Sequence, residues 1–109
     1  MKTLRFRVTE QTITQDPSCY FSGLFPGKNP DVQAEFTFSP EWKSRVKVVA
    51  FRSILGKEYP PQILNEDNVC RIPKEVLIRP SFTIQILGKR RGQTFETNEL
   101  TIYQRGGVK

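Results

Sequence analysis

Every second side chain between residues 3 and 9 is apolar: Leu4, Phe6 and Val8 alternate with Thr3, Arg5, Arg7 and Thr9. A two-residue period sends successive side chains to opposite faces and predicts a half-buried strand. The threonine-rich run Thr9 to Thr14 is read as its continuation. Residues 32–38 alternate most cleanly, with Val32, Ala34, Phe36 and Phe38 predicted inward and Gln33, Glu35 and Thr37 outward. Arg45 to Ser53 is a further strand, in which the doubled Val48-Val49 predicts burial on both faces or a bulge. Val69 to Ile72 is a short strand closed by Pro73. Ser81 to Gly88 places Phe82, Ile84 and Ile86 inward, Lys89-Arg90-Arg91-Gly92 is the bend, and Gln93 to Tyr103 is the returning strand of that hairpin.

Turn formers punctuate these runs. Gln15-Asp16-Pro17-Ser18, Phe25 to Asp31, Pro60-Pro61 and Asn65 to Asn68 read as turns or loops, because proline removes a ladder donor and Asn, Asp and Gly favour turn geometry. Ile54 to Lys57 looks like a hairpin end, and Gly106-Gly107 a frayed end. Ser39-Pro40-Glu41-Trp42 predicts one helical turn, with Ser39 as cap and Pro40 at its first position. Lys74 to Leu77 predicts another. About seven strands with frequent turns and no long helix predict a single all-β domain over residues 1–109, an antiparallel immunoglobulin-like β-sandwich. A small β-barrel is the alternative.

Composition narrows the function. The chain of 109 residues has no His and two Cys, which removes His-based acid–base chemistry and the usual zinc sites; no metal and no cofactor are expected. The segment Met1 to Arg7 lacks the apolar core of a secretory signal, so synthesis without export and use in a reducing compartment are expected. Seventeen Lys and Arg face 11 Asp and Glu, a net charge of +6. Residues 1–54 hold 8 basic and 5 acidic side chains and residues 55–109 hold 9 and 6, so each half carries +3 and the surplus reads as spread along the chain.

Three adjacent cations, Lys89, Arg90 and Arg91, are the densest charge and the candidate contact for an anion or nucleic acid, against the plainer reading of a solvated turn. Phe6, Phe36, Phe38, Phe51 and Phe82 occupy inward places and read as core, not as rings on which bases would stack. Cys19 and Cys70 read as small buried groups, with no His to activate either as a nucleophile. The carboxylate pairs Glu66-Asp67 and Glu96/Glu99 read as exposed charge. Trp42 either covers an open end of the sandwich or anchors a protein partner. Catalysis is not expected.

Several short stretches together resemble a known family. Phe36-Thr37-Phe38-Ser39-Pro40-Glu41-Trp42 precedes a basic strand reaching Phe51; then come Cys70-Arg71-Ile72-Pro73-Lys74-Glu75-Val76-Leu77, Phe82 through Gly88, and Thr97-Asn98. This order, over roughly residues 32–105, resembles small immunoglobulin-like β-sandwich modules of baseplate, tail and head-fibre or decoration proteins in tailed phages of Gram-positive bacteria. Lys74 stands where that pattern often has an aromatic residue. The resemblance implies a non-enzymatic virion structural or adaptor protein, present in the host cytoplasm before assembly and in the virion after it. Its partner would be a capsid or tail component. Two other expectations stand beside it: a small basic nucleic-acid-binding β-domain using Lys89, Arg90 and Arg91, and a phage-encoded inhibitor of a host protein.

Overall fold

A computed structural model describes residues 2–16, 32–53, 55–78 and 80–103 of the chain. Cys19, the apolar patch Cys19 to Phe21, the loop Phe25 to Asp31 and Gly106-Gly107 lie outside the described residues. The order is β1 (Lys2–Thr9), β2 (Thr12–Gln15), β3 (Val32–Phe38), a 3-10 turn (Pro40–Trp42), β4 (Val46–Ser53), β5 (Gln62–Ile63), β6 (Val69–Arg71), α1 (Lys74–Leu77), β7 (Ser81–Arg90), β8 (Gln93–Glu96) and β9 (Leu100–Tyr103).

The strands make two sheets. One has the order β2-β1-β3-β6; in the other β5, β4 and β7 lie side by side, and β8 and β9 both pair with β7. The fold is an all-β sandwich. One pairing departs from an antiparallel plan: β1 runs parallel to β3, with Leu4 opposite Ala34 and Phe6 opposite Phe36. Alternation does the layering. Leu4, Phe6 and Val8 from β1, Ala34 and Phe36 from β3, Val49 and Phe51 from β4, and Phe82, Ile84 and Ile86 from β7 are all buried in one apolar cluster. Phe6 stacks on Phe36 with ring centres 5.3 Å apart, and Phe51 meets Phe82 at 6.4 Å. Full burial of each such ring contributes about 1.5–3 kcal/mol.

Three local expectations are corrected, and for Val48-Val49 one of the two alternatives is excluded. The run Thr9 to Thr14 does not prolong β1; Glu10 takes φ 53° and the chain folds back as β2, with Val8 opposite Ile13. Ser39 does not cap the 3-10 turn through its side chain; its Oγ accepts the Glu10 N–H and donates to Glu41 Oε2. Val48-Val49 marks no bulge, since β4 pairs with β7 without a break from Val46–Lys89 to Ser53–Phe82. The strand expected over Gln93 to Tyr103 is two strands, parted at Thr97-Asn98-Glu99.

That break has a chemical cause. Ile86 N–H donates to the Thr97 hydroxyl, not to a carbonyl, at 3.1 Å, while Thr97 N–H donates to the Ile86 carbonyl at 3.0 Å. Asn98 then turns toward the other sheet. Its Oδ1 accepts the Ile13 N–H at 2.9 Å and its own N–H donates to the Gln11 carbonyl at 3.3 Å. The break therefore joins the open edge of β2 to the opposite layer and satisfies one donor and one acceptor there, the Ile13 N–H and the Gln11 carbonyl, that would otherwise invite foreign pairing.

Candidate functional site

The end of the sandwich beyond β4 and β7 is organised around Trp42. The 3-10 turn drops its indole into the core, where it is fully buried and its Nε1–H donates to the Glu10 carbonyl at 2.7 Å. The ring lies against Gly88 so closely that a Cβ there would sit 2.7 Å from Cζ3, which is why a glycine interrupts the apolar face of β7. Phe38 and Phe95 flank the indole with centroids at 5.4 and 4.9 Å. Trp42 thus fills the end of the core and offers no surface to a partner, which corrects its reading as an exposed anchor.

Past this aromatic plug the inward positions of the second sheet become cationic. On β4 the inward series Phe51, Val49 continues back to Lys47 and, just before the strand, Arg45; on β7 the inward series Ile86, Gly88 continues to Arg90. Lys47 Nζ lies 5.2 Å from the Phe38 ring centre and the Arg45 guanidinium 4.7 Å from that of Phe95. These cations cover ring faces, a favourable electrostatic contact that also uses their aliphatic stems as a lid. Lys89 and Arg90 belong to β7 itself and only Arg91-Gly92 form the bend, so the turn is shorter than the four residues expected. Both bend residues have positive φ, 50° and 79°, the pattern of a type I′ hairpin.

Lys89, Arg90 and Arg91 are exposed as expected. Their neighbour Arg45 was not singled out from the sequence, yet it joins Arg90, Arg91 and Gln93 around a hollow of about 260 Å³. Among the described residues none of Arg45, Lys47, Lys89, Arg90 and Arg91 forms an ion pair with a carboxylate, whereas Arg5 pairs with Glu35, Arg7 with Asp16, and Arg52 with Glu58 and Glu99. Cations far apart in the chain, Arg45 with Arg90 and Arg91, are thus brought together at the hairpin end of the second sheet.

The remaining chemical candidates fall elsewhere. On the outer face of the second sheet Arg52 bridges Glu58 at 2.9 Å and Glu99 at 2.8 Å, beside Tyr59, Thr83 and Gln85, so Glu99 is tied to a guanidinium and does not face Glu96 as an acid–base pair. Glu66 and Asp67 are exposed in a turn that Asn65 organises by accepting the Asp67 and Val69 N–H groups. Cys70 is buried opposite Ala34, and desolvation pushes its thiol up to about 12. Lys74 is exposed on α1. Among the described residues no three His, Cys, Asp or Glu side chains come together as a metal site, and no helix is long and apolar enough to cross a membrane. Comparison with protein families, with curated proteins and with solved structures finds no match to the chain.

Proposed function

We propose that this protein is a non-enzymatic structural or adaptor module of a tailed-phage particle, an immunoglobulin-like sandwich that docks on a capsid or tail component. One observation carries the reading: the short stretches behind the family resemblance are the parts that hold this fold together. Trp42 and Gly88, far apart in the chain, are in contact. Cys70 to Leu77 supplies β6, the buried Ile72 and the helical turn that buries Val76 and Leu77. Thr97-Asn98 makes the bond between layers. A pattern made of such positions is a signature of a fold, and a shared fold is what a virion module of this kind would have in common with its relatives. Fold alone does not dictate function, so the virion role rests on the resemblance of these short stretches to the phage modules.

Its surface suits assembly. A particle component works through extended contact with a repeated neighbour, and such surfaces need complementary shape and charge, not a reactive pocket. Mass spectrometry of purified particles from a phage encoding the chain tests the proposal. The chain is expected in many copies per particle; its absence from intact particles overturns the reading.

A second reading, a basic nucleic-acid-binding domain, is favoured by the cations at the hairpin end. The rings there are covered by Arg45 and Lys47, which leaves charge without the stacking surface that single strands use.

A further inference from the structure

We propose that the hairpin end of the second sheet is an oxyanion site, and that its ligand is a carboxylate from an acidic segment of the protein on which the module docks. The inference rests on the virion reading only for the identity of that partner. Arg45 is the centre of the site. Its guanidinium is held on two sides, by Phe95 beneath it and by the bond from Nε to the Glu41 carbonyl at 3.2 Å. Its Nη1 is buried and has no hydrogen-bond partner among the described residues. A charged group that is oriented, desolvated and under-satisfied gains most from an anion, because an unmade bond to a buried charge is costly and a charge-assisted bond restores it.

Arg90 and Arg91 lie across the same hollow, and Gln93 closes it with an amide that can donate or accept. Arginine presents its donors as a planar fork that matches the two oxygens of a carboxylate, and here a fork is fixed before any ligand arrives. The register builds this arrangement: Arg90 and Gln93 are paired across the bend, and Val46 opposite Lys89 brings the start of β4 alongside. A carboxylate is favoured over nucleic acid because the ring faces lie beneath the cations and, among the described residues, the hollow is bounded by Arg45, Arg90, Arg91 and Gln93. A duplex would instead require a long row of phosphate contacts.

The test is titration of the full chain with hexaglutamate and, separately, with duplex DNA at low salt, followed by calorimetry and amide chemical shifts. Hexaglutamate is expected to bind, with shifts centred on Arg45, Arg90 and Gln93. Arg45→Lys keeps the charge and the stem but removes the fork, and is expected to weaken binding at least about tenfold, the effect of losing one charge-assisted bond. Arg90→Gln, at an exposed strand position where folding is not at stake, is expected to weaken it as well. No binding of hexaglutamate, or equal binding by Arg45→Lys, overturns the site. Tighter binding of DNA with no loss in Arg45→Lys overturns it in favour of diffuse contact with phosphates. Particle incorporation is scored separately. A chain absent from particles that binds hexaglutamate through Arg45 loses the virion reading and keeps the site; a chain present in particles that fails to bind loses the site alone.

Discussion

Single side chains in this protein are governed by what surrounds them more than by their own chemistry. Cys70 shows this most simply. It sits on β6 opposite Ala34, and loss of water raises its thiol from 9.0 to about 12. Burial disfavours the thiolate, so the folded chain keeps its proton over a range where the unfolded chain has lost it. Below about pH 9 both forms are protonated and the contribution to stability is complete. Between there and about 12 the unfolded state binds fewer protons, and rising pH favours unfolding. Urea midpoints measured on either side of pH 9 are therefore expected to fall more steeply for the native chain than for Cys70→Ala. Identical pH dependence in the two would show that the thiol is not desolvated. The expectation of a small buried group at Cys70 needed only the residue type, a thiol with no export signal ahead of it and no His to activate it. Arg45 was beyond that kind of reading, because its role depends on Phe95, fifty residues away and across two strand pairings.

Among the elements, the regular strands were legible and their interruptions were not. Val32–Phe38 lies where its alternation put it, and the inward series of β1 and β7 is buried as expected. Periodicity reports which face of a strand meets the core; it says nothing of a side chain that replaces a backbone group in the ladder. Thr97 is such a side chain. Its hydroxyl receives the Ile86 N–H and donates onward to the Asn98 carbonyl at 2.8 Å, so β8 ends and β9 begins without leaving a buried donor unmet. Thr97→Val keeps the shape and strands that N–H. It is expected to cost about 1–3 kcal/mol, and Thr97→Ser to recover most of the loss; urea unfolding and exchange of the Ile86 amide measure both. Equal stability of the valine variant would mean that the hydroxyl does not serve as the rung. The fold-back at Glu10 escaped the sequence for a related reason: no Gly or Asn marks it, and the positive φ falls on a residue with no local preference for it.

At the scale of the whole molecule, two layers close over aromatic and aliphatic side chains, and the end where the core would lie open is plugged by one indole and roofed by cations. Phe38, Trp42 and Phe95 form that plug, with Arg45 and Lys47 above it. The same construction accounts for the charge at the hairpin end, since the half-buried cations that shield the rings lie beside the exposed Arg90 and Arg91. The charge run Lys89 to Arg91 was visible in the chain, but its convergence with β4 needed the register of the sheet. Trp42 is the only tryptophan, so it reports on this construction without interference. The most direct measurement is iodide and acrylamide quenching of its fluorescence in the folded chain and in guanidinium. Burial beneath Gly88 predicts emission shifted to the blue and almost no quenching until the chain unfolds. Emission as red and quenching as strong in the folded chain as in the unfolded one would contradict a sealed, two-layered core.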